Sequence, residues 1–280
     1  MDNNELRKQQ DEINSRPIDD FDGLSAAQMH VMLYYPFSQD SIVRFNDQIS
    51  DNTLSRIPIL NLMISFLSKA KSENVKLTAR GNLSTAVVKD LYNEGFIREM
   101  IIDSGISKLS REESSLSINL IHLLAKVSGF VRKSRDKLLL TKKGKELLDS
   151  PVKLAHDMFL HNIFKFNLGY FDNFPETQAG AIDISYTIYL LSKYGDKMRP
   201  ESFYSDAILK AFPDILDDFI DDGLFSNPEK DFAHCYQTRI LNRFLYLYGF
   251  ISGFETIDDL KDNIMIQKTD VFDQFFDVIY

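Results

Sequence analysis

The highest density of positive charge lies between residues 132 and 145. The run RKSRDKLLLTKKGK holds seven basic residues and a single acidic one, Asp136. Lysine and arginine at this density bind phosphate groups, and phosphate neutralisation dominates the affinity of proteins for nucleic acids. We therefore expect a nucleic-acid-binding surface formed by Arg132, Lys133, Arg135, Lys137, Lys142, Lys143 and Lys145.

The segment before this run predicts a helix over residues 115–128, ended by Gly129 in the manner of a glycine C-cap. Leu, Ile and Val occupy most of its surface, and a polar stripe runs along one side. If this helix lay in a groove of DNA, the stripe would offer Asn119, His122 and Lys126 to the base edges. Three such side chains are few for sequence-specific reading.

Three lysines of the basic run fall in the first turn of a predicted helix behind Thr141, which is suited to cap it. The N-terminus of a helix already carries partial positive charge, so Lys142, Lys143 and Lys145 are unfavourable there unless an anion is bound. The alternative is that the lysines are simply solvated, because exposed charges cost little.

Enzymatic chemistry has little support in the sequence. Of the five histidines, His156 and His161 are five residues apart, which does not place them on one helix face. A single cysteine, Cys235, more often acts as a small buried hydrophobe than as a nucleophile. The glycine-rich phosphate loops and the nucleophile elbow are missing from the sequence. We expect a non-enzymatic protein with no catalytic residue, metal or cofactor.

Elements around the basic run follow the plan of a winged helix. Residues 130–132 and 137–140 predict two short strands, and the polar residues 133–136 predict the tip between them. A helix precedes this hairpin and a second one, residues 142–149, follows it. In this interpretation the basic run is the wing and the turn behind it.

The chain also contains an internal repeat with an offset of about 120 residues. Residues 57–92 share an order of features with residues 181–213, and residues 117–131 match residues 237–251. Gly129-Phe130 and Gly249-Phe250 close the two matching helices. The pattern predicts a mainly α (α+β) protein with tandem duplicated winged-helix-like units and an N-terminal helical arm.

This pattern divides the chain into four parts. Residues 1–56 form the arm, in which Ser25 and Gln28 predict a capping box for a helix that ends near Tyr35. Residues 57–150 form the first, basic unit, and residues 181–280 form the second, acidic unit. Residues 151–180 contain a connecting helix, predicted over residues 152–168, whose apolar surface indicates burial.

Four of these segments carry a family resemblance: GLSAAQMHVMLYYPFS, KLTARGNLSTAVVKDLY, LLLTKKGKELL and LLSKYGDKMRPESFY. Together they resemble a group of uncharacterised bacterial proteins with tandem winged-helix-like repeats, and similar segments accompany plasmid-type open reading frames of unknown role. The resemblance covers roughly residues 21–250. It implies the fold described above and carries no activity or catalytic residue over to this chain.

Charge is distributed unevenly between the two units. Residues 57–150 hold 16 Lys and Arg against 10 Asp and Glu, a net charge of +6, whereas residues 181–280 hold 9 against 18, a net charge of −9. The acidic unit includes a cluster of five aspartates: Asp214, Asp217, Asp218, Asp221 and Asp222. The simpler interpretation is a solvated helix face. The other is a surface that contacts a basic partner or a second copy of the chain.

An alternative function follows from the arm and the acidic unit. In this second hypothesis the chain is a protein–protein interaction or self-association module, a homo-oligomer or a partner-binding protein, that makes no contact with nucleic acid. Many winged helices bind proteins, so the fold alone does not decide between the two functions. A minor third hypothesis is a small-molecule pocket between the units, lined by the Phe-rich connecting helix.

Composition sets the broad class of the protein. With 44% hydrophobic and 26% charged residues among 280, the chain is typical of globular proteins. One cysteine excludes a disulfide framework, and the longest apolar stretches, of 11 residues, are too short to cross a bilayer. The polar first residues predict no signal peptide. We expect a cytoplasmic protein without a membrane partner.

Overall fold

The structure is a computed structural model that describes residues 3–72, 75–172, 174–175, 183–219, 227–257, 261 and 263–280. It is mainly helical with small antiparallel sheets, which confirms the predicted class. The helices are α1 (Asn3–Asn14), α2 (Ala26–Tyr34), α3 (Asp51–Leu54), α4 (Pro58–Lys71), α5 (Thr85–Asn93), α6 (Met100–Asp103), α7 (Leu116–Val127), α8 (Lys142–Leu148), α9 (Pro151–Phe164), α10 (Ile184–Tyr194), α11 (Glu201–Ala211), α12 (Pro228–Tyr236) and α13 (Asp270–Phe275).

The strands are short. They are β1 (Val43–Phe45), β2 (Val131–Ser134), β3 (Lys137–Leu140), β4 (Arg199–Pro200), β5 (Ile251–Ser252), β6 (Met265–Lys268) and β7 (Phe276–Val278). Helix α12 continues as a π-helix over Gln237–Tyr246. The described residues also include the short 3₁₀ segments Asp19–Phe21, Glu112–Ser114, Leu168–Phe171 and Pro213–Asp218.

The N-terminal region is held against the last residues of the chain. The capping box is confirmed, because the backbone N–H of Gln28 donates to Ser25 Oγ and that of Ser25 donates to Gln28 Oε1. Helix α2 ends at Tyr34, as predicted. Strand β1 pairs antiparallel with β7, so the region before α4 and the C-terminal residues form one small sheet.

Helix α9 lies at the centre of the molecule, and its burial confirms the interpretation of its apolar surface. It ends at Phe164, earlier than predicted. Phe159 is fully buried, and its ring packs against those of Phe45, Phe244 and Phe276 at centroid distances of 5.4, 4.8 and 5.6 Å. Because these rings come from four distant parts of the chain, one aromatic core joins them.

The predicted hairpin is present as β2 and β3, and a third segment extends its sheet. The backbone N–H of Leu138 donates to the carbonyl of Val75 at 3.0 Å, and that of Leu77 donates to the carbonyl of Asp136 at 2.7 Å. Lys76 and Lys137 form the β-bridge between these bonds. The strand order is therefore residues 75–77, then β3, then β2.

A sheet of the same order occurs in the second half of the chain. Strand β4 follows helix α10, β5 and β6 form an antiparallel hairpin, and the order across the sheet is β4, β6, β5. Part of the connection between β5 and β6 lies outside the described residues. Both halves thus place the strand that follows their first helix beside the second strand of the hairpin.

Both hairpins also end in the same set of hydrogen bonds. The N–H of Thr141 donates to the carbonyl of Phe130, and its hydroxyl donates to the carbonyl of the glycine before that phenylalanine. Thr269 makes the equivalent bonds to Phe250 and the preceding glycine. Each threonine hydroxyl then caps the next helix, α8 or α13.

The division of the chain into four parts stays a prediction.

Candidate nucleic-acid interface

The hairpin at the centre of the candidate site is tight and braced. Val131 pairs with Leu140 and Ser134 with Lys137, which leaves Arg135 and Asp136 as a two-residue tip. The predicted tip was two residues longer. Arg135 has a φ of +55°, in the left-handed region that side-chain-bearing residues seldom occupy. Because the carbonyl of Asp136 accepts from residue 77, the tip is also held from the third strand.

Alternation along the strands divides the side chains between two faces. Val75, Leu77, Leu138 and Leu140 are buried and define the inner face. The residues between them belong to the outer face, where Lys76 lies opposite Lys137. On the next strand, Arg132 lies opposite Leu139 and is also exposed. The outer face of this small sheet therefore presents three cations.

Two further cations lie close to this face, one at the tip of the hairpin and one on the other side of β2. Arg135 is exposed at the tip. Lys133 belongs to the opposite face of β2 but is exposed beside the turn at residues 78–82, where a Cβ on Gly81 would lie 3.6 Å from the Lys133 Nζ. We call the five residues the basic sheet surface: Lys76, Arg132, Lys133, Arg135 and Lys137.

Three of the five charges of this surface have no opposing carboxylate in the described part of the chain. Among the described residues, no carboxylate forms an ion pair with Arg132, Lys133 or Arg135. Asp136 is the one acidic residue of the hairpin, and its carbonyl faces Leu77. Several cations grouped on one small sheet attract a polyanion.

The three lysines of α8 do not join this surface. Strand β3 runs from the tip at Lys137 to the base of the hairpin, so residues 142–145 lie at the opposite end. Lys143 Nζ pairs with Asp157 at 2.8 Å and donates to the carbonyl of Ser128 at 3.2 Å. Lys142 is almost fully exposed and lies 3.8 Å from Glu146. Lys145 is exposed.

The N-terminus of α8 is capped from within the chain. Thr141 Oγ1 accepts from the backbone N–H of Gly144 at 3.0 Å, which confirms the predicted cap. This bond occupies a donor that an anion would otherwise use. The anion site at this helix end stays a prediction. The seven predicted cations separate into a group of four on the hairpin and a group of three at its base.

Two of the polar residues predicted to face base edges are buried instead. His122 is 1% exposed and Asn119 is 8% exposed, so neither side chain is accessible to a base edge. His122 Nδ1 lies 2.7 Å from Glu112 Oε1, and the same carboxylate accepts from the backbone N–H of Leu83. A polar stripe on α7 thus serves contacts within the fold. Lys126, near the C-terminal end of α7, is exposed.

A second buried carboxylate, that of Glu99, binds the N-terminus of α7. Glu99 is 1% exposed and accepts hydrogen bonds from the backbone N–H groups of Leu116 and Ser117 at 2.9 and 3.1 Å. It also accepts from the hydroxyls of Ser115 and Ser117 at 2.5 and 2.7 Å. A carboxylate at a helix N-terminus interacts favourably with the helix dipole. Helix α7 is consequently anchored at its start and along its polar stripe.

A cleft of about 330 Å³ adjoins the turn at residues 78–82. Arg80 and Arg111 line it together with Glu112 and Glu113, and Glu113 Oε1 accepts from the side chain of Asn82. Arg80, Arg111 and Lys76 are not among the site residues predicted from the sequence. The strand pattern of residues 75–77 was visible in the sequence, but its position beside β3 was not.

Residues 55–153 match the family model of the Y4jL N-terminal domain. The matched segment contains α4 to α8, the start of α9 and the complete basic sheet surface. Over these residues the match supports the resemblance to an uncharacterised bacterial family. It covers about a third of the chain and does not extend to the second half. No curated protein and no solved structure matches the chain.

The surfaces that the protein-interaction hypothesis relies on lie outside the segment similar to the Y4jL N-terminal domain. Asp214, Asp217 and Asp218 are exposed on the 3₁₀ segment, whereas Asp221 and Asp222 lie outside the described residues. Helix α1 is exposed over residues 4–13, including Leu6 and Ile13. A role of these surfaces in protein contact stays a prediction.

Two of the remaining candidates for chemistry are enclosed. Cys235 is fully buried, and burial raises the pKa of its thiol to about 12. The cavity that Phe166 and Phe171 help to line has a volume of about 10 Å³, which is about one water molecule. In the described ranges, no group of three His, Cys, Asp or Glu residues is arranged to hold a metal ion, and no helix is long and apolar enough to cross a membrane.

Proposed function

We propose that this protein is a non-enzymatic binding protein that contacts nucleic-acid phosphates through its basic sheet surface. The observation that carries the proposal is the common outer face of Lys76, Arg132 and Lys137, with Arg135 at the tip and Lys133 exposed on the other face of β2. Phosphate groups are held by such side chains, which fix a protein on a nucleic acid without requiring base contacts.

The fold we propose for the site is a winged-helix-like unit. The order of α4, the strand at residues 75–77, α5, α7 and the β2–β3 hairpin supports this interpretation. The second half, with its strand order and its Thr269 closure, supports a second copy of the unit. The two sheets differ in charge, because the face of the second sheet that corresponds to the basic one presents Pro200, Ser252, Met265 and Gln267. We therefore assign phosphate contact to the first unit.

Charge reversal tests this function. We expect the double variant Arg132→Glu, Arg135→Glu to bind a labelled duplex at least about tenfold more weakly than the wild type at low salt. The slope of log K against log salt should also fall by about 2, one for each lost phosphate contact. Fluorescence anisotropy across a series of salt concentrations measures both quantities.

The matched control is Lys197→Glu, Lys230→Glu, which makes the same change in net charge with exposed lysines of the second half. It should leave the affinity close to that of the wild type. Equal weakening by the two double variants would show that only net charge matters. If the wild type binds neither duplex nor single-stranded nucleic acid at low salt, the proposed function is wrong.

A further inference from the structure

Helix α7, which precedes the wing, is not available to enter a groove. Of its polar side chains, Ser117, Asn119 and His122 are buried, and the exposed residues Lys126 and Val127 lie at its C-terminal end. A helix that reads bases in the major groove needs several exposed donors and acceptors on one face. This helix presents one cation.

Contacts on two sides hold α7 in this position. Glu112 joins His122 to the backbone of Leu83, and the side chains of Glu112 and His122 are at most 4% exposed. Next to it, Asn82 donates to Glu113, which fixes the 112–114 segment between α7 and the turn that adjoins the basic sheet surface. Turning the polar stripe outward would leave the Glu112 carboxylate buried without its histidine partner, which is strongly unfavourable.

The basic sheet surface itself carries little that distinguishes one base from another. Within the described strands, its outer face offers lysine and arginine, with Ser134 and Leu139 between them, and no amide or carboxylate side chain. The single arginine at the tip, Arg135, is suited to a narrow minor groove, where the pattern of donors and acceptors is degenerate.

Resting on the proposed function, we infer that the ligand of this protein is a linear phosphodiester chain whose charge is recognised and whose base order is not. Because the cations lie on a small sheet and α7 is buried in the fold, the phosphates are the part of the ligand that is recognised. Any linear chain of phosphates should then compete for the same surface.

Competition measurements test this inference. A labelled duplex bound to the full-length protein is displaced by two unlabelled duplexes of equal length and equal base composition but different base order, and by inorganic polyphosphate. We expect the two duplexes to compete within about twofold of each other, and polyphosphate to displace the label, because the electrostatic contribution is independent of sequence. A tenfold preference for one duplex, or a failure of polyphosphate to compete, would overturn the inference.

Two single variants separate this inference from the function on which it rests. Lys126→Ala removes the exposed cation of α7 and should change the affinity by less than about twofold, whereas Arg132→Ala should weaken it for both duplexes alike. A tenfold loss in Lys126→Ala would mean that α7 touches the ligand, and the inference would be wrong while the function stood. Absence of any binding by the wild type would instead remove the proposed function.

Discussion

Removing the buried carboxylate of Glu99 is the most direct test of how the site is held in place. Glu99 accepts four hydrogen bonds at the start of α7, from Ser115, Leu116 and both the N–H and the hydroxyl of Ser117. In Glu99→Ala the hydroxyls are free to turn to other acceptors, but the two backbone N–H groups lose their partner.

The expected cost follows from these contacts. An unsatisfied buried donor costs about 1–3 kcal/mol, so two N–H groups and the lost contacts with the hydroxyls predict a loss of about 3–5 kcal/mol in the free energy of unfolding. Glu99→Gln keeps one acceptor oxygen but places an amide N–H₂ near a donor, so about 1–2 kcal/mol is expected. Losses of this size are a large fraction of the total stability of a typical protein.

Urea unfolding of the wild type and both variants measures these differences as shifts of the midpoint at constant slope. The control is Glu146→Ala, because Glu146 is exposed and lies 3.8 Å from Lys142. Its expected loss is less than about 0.5 kcal/mol. If Glu99→Ala cost no more than this control, Glu99 would not anchor α7. Equal losses in Glu99→Ala and Glu99→Gln would point to lost packing in place of lost acceptors.

Two further predictions concern buried titratable groups. Because burial raises the pKa of the Cys235 thiol to about 12, a maleimide should leave the native protein unlabelled at about pH 8 and react once urea unfolds it; rapid native labelling would contradict the burial. Burial also lowers the pKa of His156 and His161, so the unfolded chain binds protons more readily, and stability should fall as the pH drops below about 6.5. Urea unfolding between about pH 7 and pH 5 measures this loss, which should be smaller in His161→Gln; an unchanged pH dependence would refute the role of His161.

Local patterns in the sequence were sufficient for several elements. The hairpin at residues 131–140, the Thr141 cap and the Ser25 capping box depend on residues within a few positions of one another. Caps and hairpin turns are set by such short-range hydrogen bonds, so they are visible in the sequence. The boundaries were less accurate, since the tip is shorter and α9 ends earlier than predicted.

The composition of the site depended on contacts that the sequence does not display. Lys76 lies beside Lys137 because a distant segment pairs with β3, and Lys143 is neutralised by Asp157 on the following helix. His122, polar and on the expected stripe, is buried because Glu112 lies opposite it. The sequence does not show whether a basic or polar side chain faces solvent or a carboxylate. The packing of segments that are distant along the chain decides this.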